Sequence, residues 1–253
     1  MKRFTICLLL MLLCSFSVRA MTLESGGSGA AAFPVRVLMA GDSLMVGLGP
    51  RMKEELEGYK NISIIPIGKG STGLSRPDFY NWPRVLEENL RKHRPQIVVM
   101  WVGTNDVATS IYNVEGTDVP CSPYWMRVYA GKILEIARLC QKYKARTIFM
   151  SPPVMDKEKW DAKLKKITNL MRSICKYYRL GFIDTRPIFA NRSGQYTHTK
   201  RMPDGSTSAI RTNDHIHITS AGYVLVMDEL LPYLGRYIPE AGRTSSGRRW
   251  YHW

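Results

Sequence analysis

An α/β protein, with one parallel sheet covered by helices on both faces, is predicted by three features of the chain. Apolar, β-branched runs recur five times, at Val35–Ala40, Ile62–Ile67, Gln96–Val102, Arg146–Met150 and Gly181–Asp184. Segments with helical spacing of apolar residues separate them. Strand and helix alternating in this way build a three-layer α/β/α sandwich around a five-stranded parallel sheet. The 253 residues suffice for one sizeable core and are short for two.

The first run, Val35–Ala40, leads through Met39-Ala40-Gly41-Asp42-Ser43 into an amphipathic segment reaching Tyr59. A polar Ser43 therefore sits where a strand hands over to a helix. The second run is followed by the glycine loop Gly68-Lys69-Gly70-Ser71-Thr72-Gly73, and the third by Gly103-Thr104-Asn105-Asp106. Val107–Pro123 then carries Pro120, Cys121 and Pro123 without periodicity, and reads as a long loop at the rim, a kind of loop that is often functional. Trp125, Tyr129, Ile133, Ile136 and Cys140 form one helical stripe. Trp160, Leu164, Ile167, Met171, Ile174 and Tyr178 form a second. Tyr223, Met227, Leu230 and Leu234 form the last, after Thr219-Ser220 as a cap. Stripes of this kind are core.

Three segments stand outside this 34–238 domain. Residues 1–20 have the layout of a secretory signal peptide: Lys2 and Arg3, the apolar run Ile6–Leu13, and Val18-Arg19-Ala20 at the cleavage position. The apolar run is short for a transmembrane anchor, and Leu13 is too large for the position before a lipidated Cys14. A cleaved, exported protein without an anchor is expected, periplasmic or secreted. Residues 21–33 read as a flexible linker. Residues 239–253 form a basic, aromatic tail for which disorder is the default.

Removing Lys2, Arg3 and Arg19 with the leader lowers the net charge from +15 to +12 (15 − 3). That charge is either a solvated basic surface or an attraction to anionic envelope polymers. No nucleic-acid motif accompanies it, so nucleic acid is not expected as a partner. The mature cysteines are Cys121, Cys140 and Cys175, an odd count that allows at most one bridge. Cys140 and Cys175 fall on core-facing positions, where buried thiols are the expectation.

In a parallel sheet, ligands bind beyond the carboxyl ends of the strands. Ser43, the glycine loop, Asn105 and the Asp214-His215-Ile216-His217 segment should therefore open onto one rim. That set suffices for acyl transfer. A serine hydroxyl needs a base to take its proton, and His217 is the candidate. Asp214, three residues earlier, can reach the ring's Nδ1–H and fix the tautomer. The donors for a tetrahedral oxyanion would be the Ser43 N–H, a glycine-loop N–H near Gly73 and the Asn105 amide.

Gly41–Leu44 (GDSL), the glycine loop, Gly103–Asp106 (GTND) and Asp214–His217 (DHIH) together resemble the four blocks of the SGNH, or GDSL-type, hydrolase superfamily. The resemblance covers Val35 to Tyr237. It implies a flavodoxin-like sheet, a Ser43–His217–Asp214 triad and an oxyanion hole of Ser43, Gly73 and Asn105. Ser71–Pro83 and Ala209–Gly222 look like an exported bacterial branch whose surroundings point to cell-envelope polysaccharide. The second block departs from the usual Asn-rich loop, and Gly70 is the alternative to Gly73.

Competing readings are weaker. GKGSTG fits a dinucleotide fingerprint, but it follows the second strand, and Arg76-Pro77 interrupts any helix. Asp214-His215-x-His217 could be half of a zinc site, yet His93, His198 and His252 lack ligand spacing, so no metal and no cofactor are expected. Asp42 and Asp106 are read as tying down their own turns. Arg76 and Arg211 could hold a carboxylate or phosphate, or be structural. Trp82 could stack on a sugar or lie in the core. The function expected is an exported serine esterase acting on acyl esters, O-acetyl above all, of an envelope glycan, or on a small ester. The alternatives are an O-acyltransferase, a lipase or lysophospholipase, and a non-catalytic glycan-binding module.

Overall fold

The computed structural model describes residues 34–237. The expected leader, linker and tail lie outside these residues. Five parallel strands, β1 (Val35–Gly41), β2 (Ile62–Pro66), β3 (Ile97–Trp101), β4 (Arg146–Met150) and β5 (Gly181–Ile183), pair in the order β2-β1-β3-β4-β5. This is the flavodoxin-like order, with its reversal between β1 and β3. Val37 pairs with Ile97 and Met39 with Val99 across that central junction.

Successive side chains of a strand point to opposite faces, and each face here has its own core. Val37 and Met39 of β1 pack with Leu44, Leu48 and Met52 of α1 (Ser43–Glu55) and with Val226, Leu230 and Leu234 of α5 (Ser220–Gly235). Leu38 and Ala40 pack on the opposite side. Their partners come from α2 (Trp82–His93), α3 (Pro123–Lys142) and α4 (Glu158–Tyr178). The three expected stripes form these contacts, with one exception. Tyr178 is half exposed at the end of α4, where Arg179 takes a left-handed conformation and ends the helix.

Local chemistry sets the helix starts. Asn81 caps α2 by accepting the Arg84 N–H at 3.0 Å, with Pro83 in the first turn. Ser122 caps α3 ahead of Pro123, and Thr219 caps α5 by accepting the Gly222 N–H at 3.2 Å. A small antiparallel hairpin, β6 (Thr199–Arg201) with β7 (Thr207–Ala209), precedes the Asp214–His217 segment. Its polar three-residue strands carry no apolar pattern by which the sequence would show them.

The 107–123 loop is compact. Val107, Ile111 and Cys121 are buried in it, and the Thr117 hydroxyl bonds the Ile111 and Val114 carbonyls. Cys121, Cys140 and Cys175 are all free and buried. Burial pushes the Cys140 thiol up to about 11 and the Cys175 thiol to about 12, so both behave as apolar core. Among the described residues no helix is long and apolar enough to cross a membrane.

Ile133 lies at the centre of the α3 face, fully buried, whereas Tyr177 on α4 is 80% exposed. Ile133→Ala is expected to cost about 3 kcal/mol. Tyr177→Ala should cost less than about 0.5 kcal/mol. Urea unfolding of the two variants checks both values.

Candidate active site

Strand β1 ends at Gly41, whose backbone (φ +153°) runs so close to β3 that a Cβ there would lie 2.1 Å from the Trp101 carbonyl oxygen. The chain then turns sharply. Asp42 caps α1, its Oδ1 accepting the Leu44 N–H at 3.0 Å, and Ser43 is the first residue of the helix. The seam thus exposes a hydroxyl on a backbone held by sheet and helix alike. Tyr223 of α5 fastens the start of α1 by donating to the Leu44 carbonyl at 3.1 Å.

The structure brings Ser43, His217 and Asp214 together. His217 Nε2 lies 3.1 Å from Ser43 Oγ, and its Nδ1 lies 2.5 Å from Asp214 Oδ2. The other carboxylate oxygen organises the loop itself, accepting from Thr212 Oγ1 at 2.5 Å and from the Ile216 and His217 N–H groups at 2.9 Å. Partial desolvation works against the charged form of Asp214. These donors outweigh it and hold the carboxyl well below the usual carboxylate range.

Asn105 and the glycine loop are also joined. Asn105 donates from Nδ2 to the Thr72 carbonyl at 2.9 Å, which leaves its second amide hydrogen for another acceptor. At Gly70 a Cβ would sit 4.0 Å from Ser43 Cβ. Gly73 instead lies over Asp106, where a Cβ would fall 2.3 Å from Oδ1. Asp106 does more than tie down its own turn. Fully buried, it reaches across to accept from the Ser75 N–H at 2.7 Å, the Ser75 hydroxyl at 2.6 Å and the Tyr129 hydroxyl at 2.8 Å. Tyr129 reads in the sequence as a member of an apolar stripe, and only its buried position reveals the use of its hydroxyl.

Two residues expected near substrate are placed otherwise. Trp82 is fully buried and donates from Nε1 to Thr72 Oγ1 at 3.1 Å, so it supports the glycine loop from behind and offers no face to a sugar. Arg211 is also fully buried, between Phe189 and Tyr196. Its guanidinium donates to the carbonyls of Val154, His215 and Ile216 and so clamps the loop that carries Asp214 and His217. Burial lowers its ionisation to about 10, which still leaves it charged near neutral pH. Arg76 stays at the surface, paired with Asp78, and lines a cavity with Gly73 and Asn105.

His215 is held by its neighbours. It sits in the left-handed region (φ +62°), with Nδ1 3.0 Å from Asp156 Oδ2 and its ring stacked on Tyr196. Among the described residues no three His, Cys, Asp or Glu side chains converge as a metal group would require.

The flavodoxin-ordered sheet carries a serine, an asparagine and an Asp-x-x-His pair at its carboxyl edge, the arrangement that the resemblance to SGNH-type hydrolases implies. Solved structures share the fold. A putative acylhydrolase from Bacteroides fragilis aligns at TM-score 0.58 and 16% identity, covering 80% of this chain and 88% of its own. A GDSL-like lipase from Bacteroides thetaiotaomicron aligns at 0.57 and 19%, covering 81% and 92%. An acetyl xylan esterase from Geobacillus stearothermophilus aligns at 0.58 and 15%, covering 81% and 96%. No curated protein matches the sequence. The chain belongs to the family described as "Protein of unknown function (DUF459)", whose model matches residues 36–233.

Two variants probe the supports of the site. Burial pushes the Asp42 carboxyl up to about 7, against the pull of the Leu44 N–H. A carboxyl raised on folding binds more protons in the native than in the unfolded state between about pH 4 and 7, so stability is lost as pH rises through that window. Asp42→Asn keeps the capping oxygen without the charge. Relative to the parent, it should gain on the order of 2 kcal/mol more at pH 8 than at pH 5 by urea unfolding. Arg211→Met leaves one buried and two half-buried carbonyls without their donor and should cost roughly 2 kcal/mol in the same measurement.

Proposed function

We propose that this protein is an exported serine esterase that removes acyl groups, O-acetyl above all, from a cell-envelope glycan. The observation that carries the proposal is the continuous hydrogen-bonded line from Ser43 Oγ through the His217 ring to Asp214. His217 Nε2 takes the Ser43 proton as Oγ attacks the ester carbonyl carbon. Asp214 remains ionised and stabilises the imidazolium. The oxyanion is received by the Ser43 N–H, the free Asn105 amide hydrogen and a glycine-loop N–H. For that last donor the candidates are Gly73 and, as the alternative, Gly70, where a Cβ would sit 4.0 Å from Ser43 Cβ. Collapse breaks the bond to the alcohol, which leaves with the proton from His217. Water then attacks the acyl-enzyme, giving one proton to His217, which passes it to Ser43 Oγ as the bond to the acyl carbon breaks, and the carboxylic acid departs and loses its proton to solvent.

Support for ester chemistry comes also from the neighbours, which include acylhydrolases and acetyl xylan esterases. Export rests on the charged and apolar leader at residues 1–20, and the glycan target on the basic mature chain and the envelope-like branch that the sequence resembles. The same basic surface would hold the protein near anionic envelope polymers.

The purified protein should release p-nitrophenol from p-nitrophenyl acetate, with Ser43→Ala lowering kcat by at least about 10³-fold. A fluorophosphonate should form a single adduct, located by mass spectrometry at Ser43. Full activity in Ser43→Ala, or an adduct elsewhere, overturns the assignment.

A further inference from the structure

A cavity of about 210 Å³ is lined by Gly73, Asn105 and Asp106, and so adjoins the asparagine assigned above to the oxyanion hole. Its remaining lining is Ser71, Ser75, Arg76, Phe79 and Thr109. The Asp106 carboxylate and the Ser75 hydroxyl satisfy each other, so the groups left to meet a ligand come from Ser71, Arg76, Phe79 and Thr109.

Each of the four has a feature the fold does not explain. Phe79 exposes 58% of its surface, although a phenyl ring gains nothing from water. Ser71 and Thr109 line the cavity, and among the described residues neither side-chain hydroxyl has a hydrogen-bond partner. Ser71 is moreover held at φ +60°, a conformation that glycine adopts at no steric cost, so a side chain is kept where the backbone favours having none. Arg76 gives Nε and Nη2 to Asp78, leaving Nη1 unused. That pairing also cancels its charge. The cavity therefore offers one flat apolar plate, two hydroxyls and one guanidinium N–H, with no net charge from its polar rim.

Apolar ring faces with hydroxyls at the edge are the complement of that set. A long alkyl chain would leave the hydroxyls and the guanidinium edge unpaired. An anionic sugar would face a guanidinium already neutralised by Asp78. We propose that this cavity is a subsite for a neutral sugar ring of the alcohol part of the ester. The C–H face of that ring lies on Phe79, and its hydroxyls bond Ser71, Thr109 and Arg76 Nη1. This deepens the esterase reading and rests on it for the position of the ester, while sugar binding itself can be measured without catalysis.

The test is calorimetric titration of Ser43→Ala protein with neutral oligosaccharides (xylohexaose, cellohexaose and chitohexaose) and with hexagalacturonate. At least one neutral sugar should bind more tightly than hexagalacturonate. Adding Phe79→Ala should weaken it about tenfold, and adding Ser71→Gly should weaken it several-fold. Phe79 is exposed, and Ser71→Gly relaxes the backbone, so neither change threatens the fold; thermal melts check this. In the enzyme with Ser43 intact, the same changes should lower kcat/KM on the acetylated form of that sugar more than on p-nitrophenyl acetate. No binding by any neutral sugar, tighter binding of hexagalacturonate, or affinities unmoved by both changes would overturn the subsite. Failure to hydrolyse p-nitrophenyl acetate would overturn the esterase reading and leave the binding result to judge the subsite alone.

Discussion

The close approach of β1 and β3 is the constraint on which the site depends. The chain leaves β1 for α1 on one face of the sheet and leaves β3 towards α3 on the other, so the two connections diverge and a crevice opens between them. Gly41 permits this because a side chain there would strike the Trp101 carbonyl. Ser43 enters the crevice from one side and Asn105 from the other. Remaining parts of the site are loops brought to that opening and fastened there.

Two carboxylates do most of the fastening, by opposite means. Asp106 is sealed from water and joins the glycine loop, the loop after β3 and helix α3 through Ser75 and Tyr129. Asp214 is half exposed and rich in donors, and it sets the turn that presents His217. Buried carboxylates are costly unless their oxygens are satisfied, and Asp106 meets that condition with three hydrogen bonds. Asp42 meets it on one oxygen only, and Oδ2 is buried without a partner. Burial is the main pressure on its ionisation, directly beside the serine, and the nearby Asp106 charge adds to it.

The loop bearing Asp214 and His217 is clamped rather than free. Arg211 holds its carbonyls from beneath, and His215 anchors its outer side to Asp156. Both residues sit in a segment whose backbone geometry is unusual, with His215 left-handed. Rigid support of this kind keeps an imidazole at hydrogen-bonding distance from a hydroxyl 174 positions away, as acid–base catalysis requires.

The sequence by itself determined the sheet, the helix faces and the members of the Ser43–His217–Asp214 set. Those rest on local patterns: buried runs, helical spacing, and polar residues immediately after strands. What only the tertiary structure decided is the duty of single side chains whose chemistry suits two environments. Trp82 and Arg211 have the composition of sugar- and anion-binding residues, yet they are buried behind the loops because their polar atoms find carbonyl and hydroxyl partners there. Gly70 and Gly73 are indistinguishable in a glycine-rich string, and only the path of the loop places one beside Ser43 and the other over Asp106. The use of the Tyr129 hydroxyl, the exposure of Phe79 and the β6–β7 hairpin left no readable signal. Burial and long-range hydrogen bonding are properties of the assembled chain, and no local pattern encodes them.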